Sequence, residues 1–323
     1  MSGERGILER LIAGPVSGDV LAQETGLTRA AMWKRIEALR EAGVEIDAQA
    51  GRGYTLRHPI ELLQADAIID ALPPFARAGL ASLEIAWSLD STNSELLRRE
   101  TPAHGVAALI AERQTGGRGR RGKTWASPLA AHLYLSLSRQ FSGGLARLGG
   151  LSLVAGVATA EALHEAGYAD VRLKWPNDLV VDGRKLGGLL VEGGGEHAGP
   201  VRAVIGLGLN VRMPAAMAAT LDQPWTDLAG LKGGLAPSRN AIAARLLSHL
   251  LPALDRFDAE GLAPFLATYA RFDALTGREV VVHLAGESQI GIATGIADDG
   301  ALRVRVEGQE RIFHAGEVSV RAQ

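Results

Sequence analysis

Residues 116–125 read Gly-Gly-Arg-Gly-Arg-Arg-Gly-Lys-Thr-Trp, four glycines and four cations in ten positions. Glycine lets a backbone approach a ligand closely, and guanidinium groups grip carboxylates or phosphates through paired N–H donors. The segment also satisfies two nucleotide-binding patterns at once. Gly117-x-Gly119-x-x-Gly122 fits the dinucleotide fingerprint, and Gly117-x-x-x-x-Gly122-Lys123-Thr124 fits the P-loop. Either would commit the chain to a parallel, doubly wound sheet, because each needs a strand before the loop and a helix opening directly after it. A strand pattern does run over 106–112, but Trp125-Ala126-Ser127-Pro128 and a second strand pattern over 133–138 stand where the helix should begin. No acid lies near position 140, where a ribose would be held. Both nucleotide motifs are therefore rejected. A solvated loop without function remains as the bland alternative to a mobile lid that closes on an anion.

The rest of the central region points away from a parallel sheet as well. Strand patterns occur over 83–87, 171–174, 179–181, 185–192 and 201–207, with helical patterns over 93–100, 145–166 and 240–260. Asp182-Gly183 between two β-rich runs is a two-residue hairpin signal, and hairpins join antiparallel strands. The expected fold class is α+β, with a mixed but mainly antiparallel central domain. Composition is ordinary for a globular chain of 323 residues, 47% hydrophobic and 22% charged, and the net charge of −2 confines any anion binding to local clusters. There is no cysteine, which excludes disulfides, thiolate nucleophiles and zinc–cysteine sites. The eight histidines form no His-Glu-x-x-His pattern. No apolar leader and no run of eighteen apolar residues is present, so a soluble, cytoplasmic protein without membrane contact is expected.

Residues 1–61 read as a winged helix-turn-helix. Ile7, Leu8, Leu11 and Ile12 mark one face of a first helix, and a short second helix over 18–24 runs into Thr25-Gly26-Leu27. Thr28 is placed as the N-cap of a third helix with Met32, Ile36 and Leu39 inward and Arg29, Trp33, Lys34 and Arg35 outward. A hairpin wing turns around Gly51-Arg52-Gly53. This geometry lays the third helix in a DNA major groove, which makes Thr28, Arg29, Trp33, Lys34, Arg35 and Arg52 candidate DNA contacts. Against that, residues 1–60 carry eight Lys+Arg and eight Asp+Glu, a net of zero. An inert or purely regulatory appendage therefore stays open. His58-Pro59 marks the linker to a second domain over 62–274. A third, over 275–323, has strand patterns at 280–284, 289–296, 301–306 and 309–314 split by Gly286, Gly300 and Gly308, the spacing of a small SH3-like β-barrel.

A second constellation complements the lid. Alternation over Val171-Arg172-Leu173-Lys174 sends Arg172 and Lys174 to one face of a strand, and Trp175-Pro176-Asn177-Asp178 follows as a turn. Taken in order, five motifs resemble the biotin protein ligase family: Asp90-Ser91-Thr92-Asn93, Gly117 to Gly122 with Trp125, Lys174 to Asp178, Lys185-Leu186-Gly187-Gly188-Leu189-Leu190-Val191-Glu192, and Gly206-Leu207-Gly208-Leu209-Asn210. With the winged helix the chain resembles the bifunctional class that also represses biotin-synthesis genes. Lys123-Thr124 departs from the Arg-Lys more usual there, and this departure creates the accidental P-loop match.

The resemblance implies a central fold like that of class II aminoacyl-tRNA synthetases. It also implies a two-step reaction in which biotin and ATP with Mg2+ give biotinyl-5′-adenylate, and a lysine of a biotin carboxyl carrier protein then takes the biotin. Lys174, Arg118 and Arg120 match catalytic positions. Ser91, Thr92, Asn93, Gln114, Gly119, Gly187 and Gly188, with Arg118, Arg120 and Lys174, match the biotin site. Arg118, Arg120, Arg121, Trp125, Asn177, Lys185, Asn210 and Trp225 match positions around ATP or the adenylate, with Mg2+ held mainly through the phosphates. Several residues carry a plainer reading too: Thr92-x-x-Glu95 is a capping box, Gly187 or Gly188 can mark a bulge, and Trp225 can be an ordinary half-buried tryptophan. The implied partners are the carrier protein, operator DNA and a second copy of the chain, drawn into a dimer by the adenylate. A non-catalytic regulator that senses a small acid or nucleotide through a ligase-like domain is the alternative, and Lys174 discriminates, because a pure sensor has no use for a cation at the reacting atoms.

Overall fold

The computed structural model describes residues 3–49, 51–142, 144, 148–195, 201–284, 288–315 and 319–322. Helices α1 (Glu4–Ile12), α2 (Gly18–Thr25) and α3 (Arg29–Glu41) precede the antiparallel wing β1 (Ile46–Gln49) and β2 (Gly53–Leu56). Thr28 Oγ1 accepts from the Ala31 N–H at 3.2 Å, a cap worth about 1 kcal/mol. Gly26, with φ of 71°, makes the left-handed turn between α2 and α3 that other residues resist. Ile7, Leu8, Leu11, Met32, Ile36 and Leu39 are buried as the pattern predicts. Ile12 is not: the last residue of α1, it stands at the edge of the buried stripe and is exposed. Leu129 and Ala130 from the next unit complete this core, and the Leu129 N–H donates to the Ala42 carbonyl at 2.8 Å.

The central unit contains α4 (Ala65–Asp70), α5 (Pro74–Ala78), β3 (Leu80–Ala86), α6 (Thr92–Arg98), β4 (Val106–Ala111), β5 (Leu133–Phe141), α7 (Leu151–Glu165), β6 (Arg172–Lys174), β7 (Asp178–Val181), β8 (Arg184–Gly195), β9 (Val201–Leu209), α8 (Ala215–Ala218), α9 (Arg239–Glu260) and α10 (Leu266–Phe272). Its seven strands lie in the order β3-β4-β5-β9-β8-β7-β6, antiparallel except for β3 with β4. Asp182 and Gly183 have φ of 48° and 73°, the double left-handed turn that a tight hairpin between β7 and β8 demands. The helix expected over 145–166 begins at Leu151, after Gly150 with φ of 82°; residues 145–147 of that expectation lie outside the described residues.

Strands β10 (Glu279–His283), β11 (Ser288–Ile296), β12 (Leu302–Val306), β13 (Gln309–Phe313) and β14 (Ser319–Ala322) form an antiparallel sheet in the order β13-β12-β11-β10-β14. The fifth strand was not legible as a pattern, and the expected turn at Gly286 lies outside the described residues. Val280, Val282, Leu302, Val304 and Phe313 join the core of the central unit, and Trp175 Nε1 donates to the Gly300 carbonyl at 3.0 Å. No helix among the described residues is long and apolar enough to cross a membrane.

Candidate active site

Strand alternation gives the central sheet two unlike faces. Leu135, Leu137, Ile205, Leu207 and Leu189 point into the core that includes α7 and α9. The residues between them form the opposite face, which the lid and the start of α6 cover. Across that second face runs one in-register row, Lys174 on β6, Asp178 on β7, Gly188 on β8, Gly208 on β9 and Tyr134 on β5. The next row outward holds Leu190, Gly206 and Ser136. A bulge between β7 and β8 brings Lys185 back to this face, where its Nζ donates to Asp178 Oδ1 at 2.7 Å and lies 5.4 Å from the centre of the Trp125 ring.

The glycines of this face are there because something sits on them. A Cβ on Gly208 would stand 2.5 Å from the Trp125 ring, and one on Gly206 would stand 2.4 Å from Asn93 Oδ1. Gly188 would meet Trp125 and Lys185 at 3.3 Å. Gly187, its neighbour in sequence, points the other way: a Cβ there would meet the Gly208 carbonyl and the Leu179 side chain. Its glycine serves packing beside the bulge, so of the paired ligand contacts expected at Gly187 and Gly188 only Gly188 faces the lid.

The lid itself is folded. The Gly119 N–H donates to the Lys123 carbonyl at 2.6 Å and the Trp125 N–H to the Gly117 carbonyl at 2.9 Å, with Arg118 bridged to Thr124. The tip, Arg120 to Gly122, is a single tight turn in which Arg121 has φ of 57° and Gly122 φ of 71°. Arg121 and Lys123 are exposed. Arg120 is half-buried; its Nη1 donates to Asn177 Oδ1 at 3.2 Å and its Nη2 to the Ala315 carbonyl, so the C-terminal sheet region reaches the lid. Burial lowers the Arg120 pKa and the charge of Arg121 adds to this, while Asp178 opposes it. Arg118 turns elsewhere, its Nη2 donating to Glu192 Oε2 at 2.7 Å.

Ser91, Thr92 and Asn93 are buried at the start of α6. Ser91, not Thr92, caps the helix, its Oγ accepting from the Ser94 N–H at 3.4 Å, while Glu95 pairs with Arg98 and Arg99. The capping-box reading is thus corrected, because the helix starts at Thr92, one residue earlier than that box requires. Thr92 is left for a polar chain: its N–H donates to Gln114 Oε1 at 2.9 Å, and Gln114 Nε2 donates to Ser127 Oγ at 3.2 Å. Ser136 Oγ lies 2.7 Å from Thr92 Oγ1 and 2.6 Å from Asn93 Oδ1. The Gly116 N–H donates to the Asp90 carbonyl at 2.8 Å and ties the lid to this loop. Arg98 beside Asp90 holds that carboxyl at about 2.

The remaining expected residues divide. Asn177 meets the lid through Arg120, and its Nδ2 donates to the Leu189 carbonyl at 2.7 Å. Trp225 is half-buried in a segment bridged to Lys185, beside the Lys185–Trp125 pair. Asn210 is buried with its Nδ2 donating to the Thr226 carbonyl at 3.1 Å, which fixes the same segment to the sheet. Gly119 sits inside the lid turn. The DNA-contact candidates Arg29, Trp33, Lys34 and Arg35 project to solvent from α3, Thr28 caps it, and Arg52 is exposed at the tip of the wing. Among the described residues no cluster of three or more His, Asp or Glu side chains could cage a metal. The sequence gives no role to Ser136, Ser127, Gly206, Asp178 or Glu192; of these only Gly206 carries a signal, its two-residue spacing from Gly208 placing both on one face.

Away from the cleft, His132 is fully buried and accepts the Val211 N–H at Nδ1 (3.1 Å), and burial pushes its pKa down to about 3. Beside it Arg239 and Glu112 form a buried ion pair at 2.8 Å that anchors α9 to the end of β4.

Comparison with known proteins matches this architecture piece by piece. Residues 86–210 match the biotin/lipoate A/B protein ligase family, residues 4–55 an HTH domain and residues 276–321 the biotin protein ligase C-terminal domain. The chain is 39% identical over 306 residues to the bifunctional ligase/repressor BirA of Escherichia coli, covering 95% of this chain and 93% of that one. It is 37% identical over 251 residues to the biotin–[acetyl-CoA-carboxylase] ligase of Mycobacterium tuberculosis, covering 75% and 90%. The solved biotin protein ligase of Aquifex aeolicus in complex with biotin and ATP superposes with a TM-score of 0.63 at 26% identity, over 75% of this chain and all of that one. An N-terminal helix-turn-helix, a lidded central sheet and a C-terminal antiparallel sheet, matched nearly end to end, place the chain in the biotin protein ligase family, among its bifunctional ligase/repressors.

Proposed function

We propose that the lid-facing row from Lys174 to Gly208 is where biotin carboxylate meets the α-phosphate of ATP, and that biotinyl-5′-adenylate forms beneath the lid. The observation that carries this reading is the convergence of Lys174, Asp178 and Lys185 on the face that Trp125 and Arg120 cover. Bringing a carboxylate onto a phosphate forces like charges together, and fixed cations at the meeting point lower that barrier most. A carboxylate oxygen of biotin bonds to the α-phosphorus, and the bond to the β-phosphate oxygen breaks to release pyrophosphate. The lysine amine of a biotin carboxyl carrier protein then attacks the acyl carbon, AMP leaves, and the amine proton passes to solvent or to the departing phosphate. Lys174, Arg118 and Arg120 are assigned to this charge.

Buried Ser91, Thr92 and Asn93, with Gln114, suit the ureido ring of biotin, which presents both donors and an acceptor. Gly119 and Gly188 allow the ligand to approach the backbone. Trp125, Lys185, Asn177, Trp225 and Arg121 surround the nucleotide side, while Asn210 shapes that side through the backbone it holds. Mg2+ would be held mainly through the ATP phosphates and would offset their charge, with Asp178 the carboxylate that this row carries. An acyl-adenylate hydrolyses readily, so a lid that excludes water preserves it for the carrier.

Three functional units divide at about residues 61 and 274. The first binds operator DNA through α3 and the wing, as a dimer promoted by the adenylate, and the protein works in the cytoplasm. Incubation with biotin, MgATP and an apo carrier domain should add one biotin mass to the carrier; no mass gain would refute the ligase assignment. Band shifts on the chain's own upstream DNA should require biotin plus ATP and weaken steeply with salt. Binding that ignores the ligands would refute the repressor half.

A further inference from the structure

Glu192 is a carboxylate that no step of the proposed reaction uses, yet it touches both walls of the cleft. It lies on β8 two residues beyond Leu190, on the lid-facing side of the strand, and its Oε2 accepts from Arg118 Nη2 at 2.7 Å and from Asn93 Nδ2 at 2.9 Å. Arg118 belongs to the lid, and Asn93 to the buried polar group at the start of α6. One oxygen therefore joins them. The Asn93 amide is also fixed on its other sides: Nδ2 reaches the Leu190 carbonyl at 3.1 Å, and Oδ1 lies 2.6 Å from Ser136 Oγ above Gly206. An amide has donors at one end and an acceptor at the other, so an acceptor at 192 dictates which end faces Ser136 and Thr92. The same contact draws the Arg118 guanidinium onto the sheet.

We propose that Glu192 is a positioning residue that clasps the lid through Arg118 and couples its closure to the biotin pocket through Asn93. The coupling rests on the ligase reading; the clasp is a property of the chain without substrates. The Arg118 and Glu192 side chains are 43% and 24% exposed, so solvent screens the pair and its hold is modest. A modest hold suits a lid that must open for each biotin and each carrier lysine.

Trypsin reads the clasp directly, since the lid offers Arg120, Arg121 and Lys123 as cleavage sites. In the full chain without substrates, Glu192→Ala should speed cleavage at 120–123 about fivefold, and high salt should bring the wild type toward that rate. Adding Glu192→Ala to Arg118→Gln should give no further acceleration, because both remove one interaction. Equal cleavage of wild type and Glu192→Ala, or additive acceleration in the double variant, overturns the clasp whatever the reaction. With biotin and MgATP but no carrier, Glu192→Gln keeps an acceptor for Asn93 and loses the charge for Arg118. It should raise the share of adenylate escaping into a filtrate about fivefold, more than it slows adenylate formation. Glu192→Ala should add a rise of about tenfold in the biotin KM. The same biotin KM in both variants overturns the link to Asn93. If the wild type itself makes no adenylate, the ligase reading falls while proteolysis still decides the clasp.

Discussion

On one face of the central sheet Leu135, Leu137, Ile205, Leu207 and Leu189 fill the space beneath α7 and α9; on the other, the same strands offer Gly208 and Gly188 to the lid and Ser136 and Gly206 to the start of α6. The first face is a set of apolar side chains, each contributing about 1.5–3 kcal/mol by leaving water. The second replaces that contribution with close backbone approach and polar groups held by one another. One strand can serve both because side chains alternate, so a substitution shifted by a single residue should move from stability to chemistry. The largest contrast is predicted at Lys174, half-exposed on the lid-facing side. Lys174→Ala should cut adenylate formation by about a thousandfold or more, measured as pyrophosphate release, with a thermal midpoint within about 2 °C of wild type. Retained pyrophosphate release would remove this face from the chemistry.

Neighbouring residues of β9 sharpen the comparison. Leu207→Ala, on the packed face, should cost about 3 kcal/mol in denaturant unfolding while leaving KM values within about twofold. Gly206→Ala, one residue away, places a methyl 2.4 Å from Asn93 Oδ1. It should raise the biotin KM about thirtyfold, equivalent to about 2 kcal/mol, with a smaller effect on the ATP KM. If both variants lose stability and keep their KM values, the two faces do not differ as argued.

What could be read from the chain alone follows physical range. The third helix, its Thr28 cap, the Asp182-Gly183 hairpin and the alternation placing Lys174 and Arg172 together all depend on residues within a few positions, and all are present. The segment over 116–125 was legible as irregular backbone because four glycines in ten positions disfavour a regular strand or helix. Sheet order was not, since β5 meets β9 and β9 meets β8 across long stretches of sequence that no local pattern encodes. Nor was the orientation of Gly187 and Gly188: strand parity would assign either to the lid, and only the bulge between β7 and β8 decides it. Asn210 was named through the family's motif, and no local pattern shows that its Nδ2 would hold the Thr226 carbonyl. Ser136 lay hidden in the apolar run of β5, where nothing local shows that its hydroxyl meets Thr92 and Asn93.

The smallest effect tests whether the lid belongs to the functional face or only lies over it. Arg120 bridges Asn177 and the Ala315 carbonyl, whereas Arg121 beside it is exposed and held with φ of 57°, a conformation glycine adopts without strain. Arg120→Gly removes two anchors and adds freedom at the tip of the lid, so the share of adenylate recovered in a filtrate should rise about tenfold, equivalent to about 1.4 kcal/mol of retention. Arg121→Gly removes the same charge at a site where glycine relieves strain, and should change retention by no more than about threefold. The difference between the two separates anchoring from charge. Equal leakage would mean that the lid retains the adenylate by its overall positive potential, and that the contact with the C-terminal sheet region contributes nothing to retention.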